Sequence, residues 1–244
     1  MSDPLRIDLS DFGPAKAPSS VSTSDPAVRT GSVWRRLRWI AVLALPAAIV
    51  PFLLLLRGSV HAHARWGYGP WPAVATGIVF ATAALALILW TALAVLRFPR
   101  GFRKVLSRGA AGLALVFVIH GLLYVGLRNV KGDAVQAEYR SLHPLLRLGS
   151  TVLVLVDRDA VMTDASRIPE DYAAMGLPEA RASLHFPQSD GYAHALDLRT
   201  AGRPEWRNVL VEAGFRMMGF RTLRHVGSAD HLHVSLPPRG PATP

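Results

Sequence analysis

Residues 71–96 read WPAVATGIVFATAALALILWTALAVL, 26 residues without one charge. About 20 apolar residues let a helix cross the hydrocarbon core of a bilayer. A soluble helix needs a polar face, and this run has none. It is therefore expected to span a membrane. Two further runs lie on either side. Trp39–Leu56 has 18 residues and no charge, with Pro46 and Pro51 placed to kink it; membrane helices tolerate such kinks. Gly109–Leu127 has 19 residues, and His120 is its only strongly polar member. His120 is expected to be neutral and bonded to a neighbouring helix. The expected fold is three N-terminal transmembrane helices (39–56, 71–96, 109–127) followed by a small α+β domain.

Charge agrees with this division. The 244 residues include 27 Lys+Arg and 17 Asp+Glu, a net charge of +10. Residues 1–132 carry +11 and residues 133–244 carry −1. The basic excess is thus not a nucleic-acid footprint. It lies on the flanks of the apolar runs: Arg35, Arg36 and Arg38 before the first, and Arg97, Arg100, Arg103, Lys104 and Arg108 between the second and third. Basic loops stay in the cytoplasm. The expected topology is a multi-pass protein of the cytoplasmic membrane, N-terminus inside and C-terminal domain outside. Trp34, Trp39, Trp66 and Trp71 stand at run ends, where indole prefers the interface. A cleaved signal peptide ending at Ala62–Ala64 is the rival reading. Arg57 interrupts the approach to that site, so a retained anchor is expected.

Residues 1–33 are rich in Ser, Pro, Thr, Ala and Asp without apolar periodicity, and are expected to be a disordered tail. The expected organisation is then a membrane domain over 34–132, an α+β domain over 133–237 and a tail over 238–244. Within the α+β domain, 134–148 reads as a short helix. Thr151–Val156 and Ala160–Thr163 read as a hairpin around Asp157–Asp159. Helices are expected at 169–175 and from Pro204 to near Gly219, and strands at His194–Leu198, Arg221–Val226 and His231–Leu236.

The chain has no cysteine, which excludes a disulfide scaffold, a thiolate zinc site and a cysteine nucleophile. Six of its nine histidines follow residue 140. In the strand Asp230-His231-Leu232-His233-Val234-Ser235, His231 and His233 share a face. Two imidazoles with no thiolate suit zinc. Asp197, within the apolar strand 194–198, needs a buried partner, and a metal ion would supply one. His143 and His225 have no partner in any motif and read as structural.

Ser183-Leu184-His185, then Gly191-Tyr192-Ala193…Asp197-Leu198, then Asp230 three residues before His233, resembles the zinc D-Ala-D-Ala peptidases and their relatives, the murein endopeptidases and hedgehog-type domains. The resemblance covers roughly residues 140–237. It implies an antiparallel sheet with flanking helices, and zinc held by His185, Asp197 and His233. It further implies Asp230 as general base, and His231 as the extra histidine of the endopeptidase branch. Arg167, in Thr163-Asp164-Ala165-Ser166-Arg167, would bind a substrate carboxylate or the developing oxyanion. Two departures stand out. Twelve residues separate His185 from Asp197 where the family has seven, and Asp230 replaces a usual Glu. His194, three residues before Asp197, is an alternative ligand to His185.

The expected function is hydrolysis of peptidoglycan stem peptides outside the cytoplasmic membrane, as a carboxypeptidase or endopeptidase. A catalytically weak domain that binds cell-wall peptide or a protein partner is the alternative. His233-Val234-Ser235 also fits one strand of a His-x-Ser phosphodiesterase, although the chain carries no second copy.

Overall fold

The fold is given by a computed structural model, which describes residues 27–96, 100–174, 176, 178–179, 182–227 and 230–240. The chain divides into residues 1–38 and a larger unit, Trp39–Pro244. The tail expected over residues 1–33 lies largely outside the described residues; residues 27–33 belong to the first helix.

Three long helices come first: α1 (Ala27–Trp66), α2 (Pro70–Leu96) and α3 (Arg100–Leu123). Then follow α4 (Asp133–Glu138), α5 (Pro144–Val156), β1 (Met162–Asp164), α6 (Pro169–Ala174), β2 (Ala195–Arg199), α7 (Glu205–Met218), β3 (Arg221–His225) and β4 (His231–Ser235). The strands form one antiparallel sheet in the order β1-β2-β4-β3.

The three helices do not form a free membrane bundle, which corrects the expectation above. Among the described residues, only the stretch Pro70–Leu93 of α2 is long and apolar enough to cross a membrane. Its mean hydropathy is 2.2, and 22% of its most apolar part is buried against the rest of the chain. In α1, the expected run gives way to an amphipathic end. Leu55, Leu56, Ser59, Val60, Ala62 and His63 are buried, while Arg57, His61 and Arg65 repeat every fourth residue on the exposed side. That spacing keeps one face polar. Ala62, at the rival cleavage site, is fully buried within this helix. In α3 the helix ends at Leu123. Only 109–123 of the third run is helical, short of the roughly 20 residues needed.

A single apolar cluster joins these helices to the α+β part. Leu55, Leu56 and Val60 of α1, Val74 of α2 and Val118 of α3 share it with Leu145, Leu146, Leu148, Leu196, Phe215, Leu232 and Val234. Two polar contacts tie down the carbonyls that the α3 C-terminus leaves unpaired. The buried Arg147 guanidinium donates to Leu122 O at 2.6 Å, and the Tyr139 hydroxyl donates to Gly121 O at 2.7 Å. A cation there also suits the negative end of the helix dipole.

The hairpin expected over 151–163 is also corrected, because Thr151–Val156 is the second half of α5. His143 caps that helix by accepting the Leu145 N–H, and Pro144 opens its first turn. Both are helix-start signals, and burial of one face overrides the β-branched preference. The helix from Pro204 and the β3–β4 pair form as expected. Gly219 ends α7 with φ 101°, a conformation that favours glycine. An added Cβ there would also lie 3.0 Å from Val60 Cγ1.

Candidate metal centre

Strands β2 and β4 pair so that Asp197 stands directly opposite His233. Facing residues of an antiparallel pair share a side of the sheet. The third group arrives on a loop. The amide of Arg167 donates to His185 O at 2.9 Å, and His194 N donates to Leu184 O at 2.7 Å. These bonds hold the His185 loop against both the β1 end and the start of β2.

The three side chains converge. His233 Nδ1 lies 2.9 Å from Asp197 Oδ1, His185 Nε2 lies 3.3 Å from the same oxygen, and the two ring nitrogens are 3.3 Å apart. His185 Nδ1 is 2.7 Å from Ala165 O. A carbonyl only accepts, so Nδ1 carries a proton and Nε2 is the nitrogen turned to the centre, facing Asp197 Oδ1 here and able to ligate a metal ion once it carries no proton. Asp197 and His185 are buried. Burial acts to raise the Asp197 carboxyl, but the His185 and His233 hydrogen bonds win and hold it well below the usual range. Burial likewise acts to lower His185, and Asp197 more than offsets it.

The other expected site residues divide into two sets. Arg167 and His231 join the centre's edge. Arg167 pairs with Asp164, Nε donating to Oδ2 at 2.8 Å, and its Nη2 is 3.9 Å from Asp197 Oδ2. His231 Nε2 is 3.7 Å from Asp197 Oδ2, and its ring stacks on His225 at 4.6 Å. Asp230 is engaged elsewhere. Its Oδ1 accepts from Thr200 Oγ1 at 2.6 Å and Arg224 Nε at 2.9 Å, and its Oδ2 accepts from Arg224 Nη2 at 3.2 Å. Arg224, then Thr200, lowers its pKa, which weakens it as a base.

His194 is not with His185. Its Nε2 lies 2.9 Å and 3.0 Å from the two Asp190 oxygens, beside the fully buried His143. His143, Asp190 and His194 make a second group that could hold a metal ion, alongside His185, Asp197 and His233. Residue types alone pointed to neither His143 nor Asp190. The available signal was His194 four residues after Asp190 in a glycine-containing loop.

Comparison of the chain with protein-family models, with curated proteins and with solved structures yields no match.

Proposed function

We propose that the chain is a zinc-dependent peptidase acting on peptidoglycan stem peptides, with His185, Asp197 and His233 as its metal ligands. One observation carries this reading: two imidazoles and a carboxylate converge, with the His185 ring held by Ala165 O so that Nε2 faces the other two. Tetrahedral zinc with bonds of about 2.0–2.1 Å places its ligand atoms roughly 3.3 Å apart, and the three separations here are 2.9, 3.3 and 3.3 Å. Three protein ligands, all nitrogen or oxygen, are the donor set of a catalytic rather than a structural zinc site.

Zinc held there would supply an acidified water and polarise a carbonyl. The chain's own residues do the rest. His231, beside Asp197 on the shared face, receives the proton and returns it to the leaving amine. Arg167 faces the same carboxylate from the β1 end and orients a substrate carboxylate or the developing oxyanion. Removing such a stabiliser costs about 10²–10³ in kcat, the loss expected for Arg167→Ala. The apolar α2 helix supports placement at a membrane, and a stem-peptide substrate would call for the centre on its outer face. Because the chain has no native cysteine, single introduced cysteines would report sidedness by labelling.

The test is muropeptide hydrolysis by the full chain with and without zinc. Zinc-dependent release of peptide or D-alanine, lost in His185→Ala, is expected. Metal-free protein, or hydrolysis unchanged in His185→Ala, overturns the reading. The pairing of Asp230 with Arg224 and Thr200 favours a second reading, a weakly catalytic domain that binds the same peptide. Peptide binding without turnover in the wild type, with turnover appearing in Arg224→Gln, would support it.

A further inference from the structure

A second histidine cluster lies close to the first and belongs to none of its chemistry. His143, His194 and Asp190 come together where the turn before α5 meets the loop leading into β2. A fourth residue, His63, reaches them from the end of α1. The ring centroids of His63 and His143 are 5.1 Å apart, those of His143 and His194 are 5.0 Å apart, and those of His63 and His194 are 5.9 Å apart. The rings meet edge to face at 65°, 83° and 70°. Imidazoles around one tetrahedral ion have centroids about 5 Å apart. The first centre has the same spacing, with His185 and His233 at 5.1 Å.

Two observations point to a ligand. His63 and His143 are both 0% exposed, and neither Nε2 makes a hydrogen bond among the described residues, that of His143 lying 3.8 Å from Asp190 Oδ2. A buried nitrogen without a partner is costly. The tautomer of His63 is also set, since its Nδ1 lies 3.1 Å from the Tyr68 carbonyl. The proton therefore sits on Nδ1, and Nε2 presents a lone pair inside the cluster. His143 differs, because its Nδ1 accepts the Leu145 N–H at 3.2 Å. Ligation through its Nε2 shifts the ring proton to Nδ1 and exchanges that long capping bond for a metal bond.

We propose that His63, His143, His194 and Asp190 form a second zinc-type site that is structural, closed by four protein ligands, and clamps the end of α1 onto the α+β part of the chain. The first centre has three protein ligands and a position for water. In the second, His143, Asp190 and His194 offer ligand atoms within 4.8 Å of one another, and the His63 ring, centred 5.1 Å from that of His143, would close the fourth position, as in structural zinc. Its sequence span also suits a clamp: His63 comes from α1, and the other three come from a segment 80 or more residues later.

The test counts zinc in the full-length protein after dialysis against a weak chelator, by elemental analysis, and follows thermal unfolding. Two ions per chain are expected in the wild type, and one in His185→Ala. In His185→Ala the remaining ion should raise Tm and protect the His63 end of α1 from proteolysis. Both effects should vanish in His185→Ala/His63→Gln, which keeps only His143, His194 and Asp190 and is expected to give up its ion to the chelator more readily. Cobalt in His185→Ala should give the intense visible absorption of a tetrahedral site. A His185→Ala protein that binds no ion, or one whose count, Tm and protection are unchanged by His63→Gln, overturns the proposal. If the double variant fails to fold, the count and cobalt spectrum of His185→Ala still decide. Loss of hydrolysis alone bears on the first centre and leaves this count unaffected.

Discussion

Asp197 is the residue on which the centre's electrostatics turn. It faces His185, His233, His231 and Arg167 at once, and a carboxylate buried among so many partners stays ionised. Asp197→Asn keeps the shape and removes the charge. A fall in zinc affinity of more than about tenfold is expected, since even residues that only support a ligand cost that much; competition with a chromogenic chelator would measure it. Glu138 offers a second test. Burial, then Asp164 and Asp171, raises its carboxyl from 4.5 to about 7. The folded chain keeps a proton that the unfolded chain releases between those values. Stability from this group is therefore full below pH 4.5, falls as pH rises towards 7, and stays lost above. Glu138→Gln has no such proton to lose. Its Tm relative to wild type is expected to rise between pH 4.5 and 8, and a gap independent of pH would refute the assignment. His185, Asp197 and His233 were legible because each sits in a short pattern of characteristic residue types. His63 and His143 were not: His143 has no chemical neighbour in sequence, and His61-Ala62-His63 lies on a helix, where residues two apart do not share a face, so only tertiary packing brings His63 to His143.

At the scale of elements, α1 and α2 approach each other closely at Gly77. A Cβ added at Gly77 would fall on the Ser59 hydroxyl and the Leu55 carbonyl. The carbonyl is backbone and cannot swing aside. Gly77→Ala is therefore expected to destabilise the fold by about 1–3 kcal/mol, the usual cost of overpacking, despite alanine's better helix propensity. A Tm equal to or above wild type would show that the helices separate freely. The same scale explains one misreading. Thr151–Val156 has strand-like composition, yet His143 and Pro144 start a helix that continues through it. The cap, His143, lies eight residues before Thr151, and a local window over β-branched residues does not include it. By contrast α7, β3 and β4 were legible because Pro204, Gly219 and strict alternation lie at or within their own ends.

For the whole molecule, three apolar runs of 18, 26 and 19 residues have different fates. Composition separates apolar from polar but does not say whether the apolar neighbour is lipid or protein. The α2 run keeps a large exposed apolar surface, including Val79, Leu87 and Trp90. The end of α1 instead packs with Leu145, Leu148 and Phe215. A fragment of residues 133–244 would expose that face. It is expected to bind a hydrophobic dye and to lack a cooperative thermal transition, while residues 39–244 unfold cooperatively in detergent. A sharp transition in the shorter fragment would show that the long helices are dispensable.

The last described residues also return to the first helices. Arg239 Nε donates to Gly67 O at 2.6 Å, a bond spanning 172 positions, and Gly240 lies against the Ala64 carbonyl. His233 is likewise on the final strand. During synthesis, then, His185 and Asp197 leave the ribosome well before their third partner, and the corner at Gly67 waits longer still for Arg239. A half-made chain therefore carries His185 and Asp197 without His233, and the three groups can meet only after β4 has been made.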